Sequence, residues 1–242
     1  MTHRGAYGFD APYALIMFAL AALASLAALV LFLWQGNTRG VRFSTFYFVF
    51  FAANTCSFFY TTRRGKFAEW DRILDGLHLR GDERVLDLGC GRGAVLTAAA
   101  ARLTTSGKAI GVDIWNVMDQ SGNAQAVTLL NAAIEGVSDR VQVETGDMRS
   151  LPFADATFDL VLSSVAIHNV RTKDDRKKAI MEAYRVLAPE GRLVIADIRG
   201  TKHYTSVLRS LNARNVNRRR LGWRFWWGNP IAATSLVTAS KV

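Results

Sequence analysis

The sequence predicts an α/β fold: a buried, mostly parallel sheet with helices on both faces, preceded by a pair of apolar helices. Three observations lead there. From about Phe67 onward, short apolar runs alternate with amphipathic stretches. Those runs are nearly continuous in apolar residues, as in strands covered on both faces. In front of them, Ala11–Trp34 holds 24 positions without a formal charge.

The apolar run comes first. A helix rises about 1.5 Å per residue, so about 20 apolar residues cross the bilayer core. Ala11–Trp34 is long enough. A second uncharged run, Phe43–Tyr60, is shorter and carries Thr45, Asn54 and Thr55. "QGNTRG" between them reads as a turn. The simplest picture is a transmembrane hairpin, with spans at about 11–34 and 42–60 and an anchor over residues 1–62. The second run has an alternative, a helix lying in the interface with its Phe side chains at the acyl boundary. A signal peptide fits less well, because the first run exceeds a typical h-region and another apolar run follows it. Arg63, Arg64 and Lys66 after the second run, with Arg4 before the first, favour both ends in the cytoplasm. Arg39 and Arg42 in the turn oppose this. Ala21/Ser25 and Ala24/Ala28 place small residues four apart, which permits close packing against the second span or another copy of the chain.

The remainder, residues 63–242, reads as one domain. "FAEWDRILDGL" is an amphipathic helix. Arg84–Gly89 is a strand and Ala94–Leu103 a helix. Ala109–Ile114 is a strand and Ala124–Glu135 a helix. Val141–Asp147 and Phe158–Ile167 are strands, followed by a helix over Arg176–Ala188. Arg192–Ile198 is a strand and Tyr204–Leu211 a helix. Two final strand-like runs surround "WRFWWGNP".

"VLDLGCGRG" (Val85–Gly93) is the most specific stretch. A strand ends in Asp87, Gly89, Gly91 and Gly93 follow with Cys90 between, and a helix begins. Glycines there allow a sharp turn and close approach of a ligand to the backbone. Dinucleotide folds use a similar device, but here the acid precedes the glycines. With "GVDIW" and "TGDMRSLPF" following in order, residues 67–242 resemble the class I S-adenosylmethionine-dependent methyltransferases, closest to the quinone-biosynthesis-like group. The resemblance implies a Rossmann-like, seven-stranded fold and S-adenosylmethionine as methyl donor, with S-adenosylhomocysteine as product. It places Asp113 on the ribose hydroxyls, Asp147 on the adenine amino group, and Ile114 and Met148 against the ring. A carboxylate accepts hydroxyl hydrogens well, although a dinucleotide site also uses an acid at Asp113. An ordinary turn remains the plain alternative for "GDM". "EAYRVLAPEGRLVIADI" reads as scaffold.

Methyl transfer from a sulfonium needs alignment and exclusion of water above all. A base is needed only if the acceptor arrives protonated. "SSVAIHNVR" (Ser163–Arg171) therefore carries specificity, with Ser163 and Ser164 at the cofactor and His168 and Asn169 facing the reacting methyl. An ordinary His titrates near neutrality and suits a base; the alternative is a His that only lines the pocket. His203 and Tyr204, after the fifth strand, are either substrate contacts or a helix start. "NVNRRRLGWRFWWGNP" is either an interfacial Trp/Arg element or an edge pair whose alternation puts Trp223, Phe225 and Trp227 on one face. Trp223 is a further substrate candidate.

Composition narrows the rest. The net charge is +10, yet residues 1–60 hold only Arg4, Asp10, Arg39 and Arg42 as formal charges. Such a surface suits an anionic membrane or nucleic acid. The chain lacks the Asn/Asp-Pro-Pro-aromatic motif of many nucleic-acid methylases, which counts against the second. The four His have no metal-ligand spacing, so no metal is expected. Cys56 and Cys90 sit in an apolar run and a tight turn, an arrangement that argues against a disulfide. Abundant Arg and Ala suggest a GC-rich bacterial genome. The expectation is a membrane-anchored bacterial enzyme, its catalytic domain on the cytosolic side, methylating a quinone-, isoprenoid- or lipid-like acceptor at O, S or C. The alternatives are a membrane-tethered protein or RNA methyltransferase, and a non-catalytic cofactor-binding module.

Overall fold

The computed structural model describes residues 3–242. Helix α1 spans Pro12–Trp34 and α2 spans Thr38–Tyr60. Pro12 opens α1, where its missing N–H costs nothing. The turn between the helices is shorter than expected. Asn37 caps α2 by accepting from the Gly40 amide at 3.0 Å, so Arg39 and Arg42 lie on the helix rather than in a loop. Gly40 lies against the Phe32 ring, where a Cβ would collide. The two helices form a hairpin whose large apolar side chains are mostly exposed, among them Leu20, Leu23, Phe43 and Phe46. Among the described residues, only α1 is long and apolar enough to cross a membrane by length and composition. A membrane anchor and a signal sequence both have that property.

α2 does not end in a linker. A π-helical turn, Thr61–Gly65, carries it directly into α3, Lys66–Asp75. The proposed boundary near residue 62 therefore falls inside continuous helix. Residues 3–11 also depart from the expected anchor, because they lie as a strap on the α/β layer. The amides of Arg4 and Gly5 donate to Glu135, and the Tyr7 hydroxyl bonds Thr97 and Glu135.

The sheet has seven strands: β1 Arg84–Leu88, β2 Lys108–Asp113, β3 Val141–Thr145, β4 Phe158–Ser164, β5 Leu187–Asp197, β6 Arg214–Arg220 and β7 Ser235–Ser240. Their order is β3-β2-β1-β4-β5-β7-β6, with β7 antiparallel to both neighbours and the first five parallel. The crossover helices are α4 Ala94–Ala100, α5 Gln125–Ile134, α6 Lys173–Val186 and α7 Thr201–Ser210. Helix α6 starts earlier than its apolar pattern suggests, because Thr172 caps it by accepting from Asp175 N at 3.0 Å.

Period-two alternation splits the continuous strand runs into two cores. Val85, Leu160, Leu162 and Val194 pack with Trp70, Leu74 and Leu96 on one face. Leu86, Leu88, Val161 and Ile195 pack with Ile180, Val186 and Leu208 on the other. The parallel strands end together, so the loops after β1, β2, β3, β4 and β5 converge on one edge.

The segment between β6 and β7 corrects the expected alternation. Trp223–Phe225 form a 3-10 turn rather than a strand. Phe225 and Trp227 are buried, while Trp223 is 56% exposed and stacks on Tyr60. This segment is fastened to the helical hairpin. Trp227 meets Phe58 edge-on, and the Asn229 side chain donates to Asn54 Oδ1 at 2.9 Å. Asn54, a polar residue in an apolar run, is thus buried and satisfied.

Candidate active site

The loops after the parallel strands enclose a cavity of about 770 Å³. The glycine turn after β1 forms one wall. Gly89 and Gly91 have φ of 70° and 52°, and a Cβ on either would meet Ala166 or the Gln120 side chain. The Gly91 amide donates to Asp113 at 2.8 Å, and the Arg92 amide to Gln120 at 2.8 Å. Backbone strain collects at the same edge: Trp115 and Val165, just after β2 and β4, both have positive φ, a conformation costly for a β-branched residue.

Asp87 is the most informative group. It is buried, lines the cavity, and neither carboxylate oxygen has a hydrogen-bond partner. The Leu96 amide gives weak relief without reaching hydrogen-bond geometry. Burial, with Asp113 nearby, pushes Asp87 up to about 8. A carboxyl left unpaired in a cavity and held protonated by burial fits a cationic ligand, which would stabilise its ionised, acceptor-only form. Burial also raises the Cys90 thiol, which makes it an inert packing group rather than a nucleophile.

Asp113 lies on the wall but is already engaged. It accepts from Gly91 N, Trp115 N at 2.6 Å and Asn123 Nδ2 at 3.2 Å. It thus ties the glycine turn to the loop after β2 and keeps only its spare lone pairs for a hydroxyl. Ile114, Asp147 and Met148 line the same cavity. Arg149 grips Asp147 at both oxygens and holds its carboxyl below the usual range. Asn169 and Ser164 are also on the wall, and Ser164 accepts from the Trp70 indole at 2.8 Å.

Five candidates from the sequence are placed elsewhere. Gly93 caps α4 behind the wall. Ser163 is fully buried and donates to Leu88 O. His203 reaches the Lys173 carbonyl. Tyr204 is a core residue whose hydroxyl donates to Asp197 at 3.1 Å. Trp223 lies outside the cavity on Tyr60.

His168 sits on a single 3-10 turn, Ile167–Asn169, after β4. Its Nδ1 is 2.6 Å from Asp197 Oδ1, although the approach lies off the ring N–H direction, so this is a close charge contact rather than a directed hydrogen bond. Asp197, fully buried at the end of β5, also accepts from the backbone amides of His168 and Ile198. In the sequence this acid falls within "RLVIADI", a stretch that reads as scaffold. Its position at the carboxyl end of a parallel strand was the available signal.

Residues the sequence did not single out complete the wall. The Asp10 carboxylate takes bonds from Lys66, Thr62 and Gln120, clasping the strap to the α2–α3 helix beside the cavity. Replacing Asp10 with Ala is expected to cost about 3 kcal/mol or more, because Lys66 keeps a charge at a site 7% exposed. Adding Lys66→Met should recover most of that loss. Urea unfolding of the full chain in detergent reads both, and equal midpoints for the single and double variants would refute the clasp.

Residues 86–195 match the protein-family profile described as a methyltransferase domain. Among curated relatives, the chain is 33% identical over 131 residues to demethylmenaquinone methyltransferase of Symbiobacterium thermophilum, covering 54% of this chain and 49% of that protein. It is 35% identical over 129 residues to 27-O-demethylrifamycin SV methyltransferase of Amycolatopsis mediterranei, covering 52% and 43%. The chain thus spans about half the length of the curated relatives it matches. Among solved structures, a geranyl diphosphate C-methyltransferase from Streptomyces coelicolor, in complex with magnesium, geranyl diphosphate and S-adenosylhomocysteine, superposes with a TM-score of 0.60 at 16% identity, over 75% of this chain and 81% of that one. A SAM-dependent methyltransferase from Aquifex aeolicus gives 0.56 at 20% identity, over 72% and 90%. The fold is the Rossmann-like methyltransferase fold. The stretch from β1 to β5 is thus similar to methyltransferase domains, and the relatives it matches include S-adenosylmethionine-dependent methyltransferases.

Proposed function

We propose that this chain is a membrane-anchored methyltransferase that transfers a methyl group from S-adenosylmethionine to a small lipophilic acceptor. The observation that carries this reading is the make-up of one cavity. Unpaired Asp87 and the glycine turn form one side, His168 stands at another, and Tyr13, Ala14, Phe58 and Trp227 supply an apolar side. The first three apolar groups belong to α1 and α2, the helices that would meet the bilayer.

Bound S-adenosylmethionine supplies an activated methyl on a sulfonium. Asp87 would take its ammonium group. Asp113 would accept from the ribose with its spare lone pairs, and Asp147, Ile114 and Met148 would border the adenine. His168 would remove a proton from an acceptor hydroxyl or thiol, with Asp197 as a positioning residue beneath it. Trp70 and the strap would exclude water. In this reading α1 and α2 anchor the chain in the cytoplasmic membrane, with the domain on the cytosolic side, where the donor is made. Residues 3–11 then work with the catalytic domain at 63–242 rather than with the anchor.

The test is labelled-methyl transfer into a lipid extract of the host, followed by mass spectrometry. A labelled lipophilic product that disappears with Asp87→Asn supports the reading. Label only in protein or RNA would replace it with the macromolecular alternative, and cofactor binding without turnover would leave a binding module.

A further inference from the structure

The cavity is electrically divided by the strand order. The sheet runs β3-β2-β1-β4-β5 across its mouth. Asp147, Asp113 and Asp87 follow or end β3, β2 and β1, and Asp119 lies in the loop after β2. The arginines Arg171, Arg176 and Arg199 line the same cavity but follow β4 and β5. Two further lining cations are already neutralised: Lys66 pairs with Asp10, and Arg149 with Asp147. None of the three remaining arginines forms a salt bridge among the described residues.

Arg176 is the built part of this group. Its Nη1 donates to the carbonyls of His168 and Val170, while its buried Nε has no partner. Of the acids on that side, Asp197 is fully buried and already engaged by three donors, and Asp175 on α6 is taken by Lys178 and Arg149. A guanidinium presents a fork of donors that matches a carboxylate or phosphate. Three uncompensated guanidinium groups around a cavity repel one another unless an anion joins them.

We infer that the methyl acceptor is an anionic amphiphile, whose phosphate or carboxylate group is held by Arg171, Arg176 and Arg199 beside His168, while its apolar part lies toward Phe58 and Trp227. The inference rests on the proposed transfer to a lipophilic acceptor and narrows it. The acid end of the cavity serves a cationic donor, and the arginine end serves the acceptor.

The test uses the full chain in neutral detergent. Calorimetry first measures S-adenosylhomocysteine; no binding there would sink the underlying cofactor reading itself. With that ligand saturating, hexyl phosphate, hexanoate, hexanol and inorganic phosphate are titrated. Hexyl phosphate or hexanoate should bind at least about tenfold tighter than hexanol, since a hydrogen bond to a charged group is stronger than one between neutral groups. Inorganic phosphate should bind weaker than hexyl phosphate if the anion belongs to an amphiphile; equal binding would point to free phosphate and overturn the inference. Arg171→Gln with Arg199→Gln, whose arginine side chains form no hydrogen bond among the described residues, should lower hexyl phosphate affinity about tenfold and leave S-adenosylhomocysteine affinity within about twofold. A loss confined to S-adenosylhomocysteine would assign the arginines to the donor's carboxylate and overturn the inference. Arg176→Gln should act in the same direction as the pair. Hexanol binding as tightly as hexyl phosphate would also overturn it.

Discussion

Asp87→Asn is expected to weaken S-adenosylhomocysteine binding by about ten- to a hundredfold, because a charged hydrogen bond contributes about 1.5–3 kcal/mol. The pH dependence distinguishes this from simple damage. In the free protein Asp87 is held protonated up to about 8 by burial beside Asp113. A cationic ligand favours the ionised carboxylate, so binding below that pH releases a proton. Affinity should then rise with pH and level off near 8, by up to about a tenfold gain per pH unit. The ligand's own amino group titrates near there, so the readout is the difference in slope between wild type and variant. Stability moves the other way. A carboxyl raised in the folded state contributes stability that is complete below its unfolded pKa, near 4, and is lost as pH rises through about 8. At pH 9 and without ligand, Asp87→Asn should therefore be more stable than wild type. Calorimetry in buffers of different ionisation enthalpy and urea unfolding at pH 5 and 9 check both signs. Parallel slopes in the two proteins would remove Asp87 from the ligand site.

His168→Ala should lower kcat by about a hundred- to ten-thousandfold, the usual range for a general base, with little change in S-adenosylhomocysteine affinity. The acidic limb of the kcat profile should vanish in the variant. Asp197→Asn should lower kcat less and also destabilise the fold, because Asp197 accepts from two backbone amides and Tyr204 at full burial. Its positioning role predicts a changed pH profile in the fraction that folds, an effect that lost packing alone would not produce. Tyr204→Phe removes one donor to the same carboxylate and keeps the ring, so it separates stability from proton transfer. An unchanged profile and kcat in His168→Ala would mean that the acceptor arrives deprotonated, and the base assignment would fall.

These two results bear on different parts of the chain's chemistry, and they were not equally legible. Asp87, Gly89 and Gly91 were readable because a strand, an acid and a glycine turn are adjacent in sequence. Local geometry then leaves few alternatives, and the three stay together in the fold. The run of strands and helices was legible for the same reason, since period and turn chemistry act over a few residues. His168 was found by its place after the fourth strand. Its partner Asp197 was not, because the two are separated along the chain and meet only when β4 and β5 pair in register.

The strap and the C-terminal segment lay further out of reach. Residues 3–11 carry no pattern that points to Glu135 or Thr97, and their place is set by which carboxylates the folded surface offers their amides. "WRFWWGNP" alternates as a strand would, yet it folds into turns because Asn54, Phe58 and Thr61 offer better partners for its backbone and rings. Asn54, a polar residue within an apolar run, links the hairpin to the segment between β6 and β7. Residue order alone therefore determined the fold class, the acid and glycine turn after β1 and the uncharged run Ala11–Trp34, since each follows from contacts a few residues long. Packing alone decided that the hairpin helices share a wall with His168, and that acids ending or following β1, β2 and β3 line one cavity with arginines following β4 and β5. Those are relations between distant segments, and they arise only when the order of strands in the sheet brings the loop ends to a common edge.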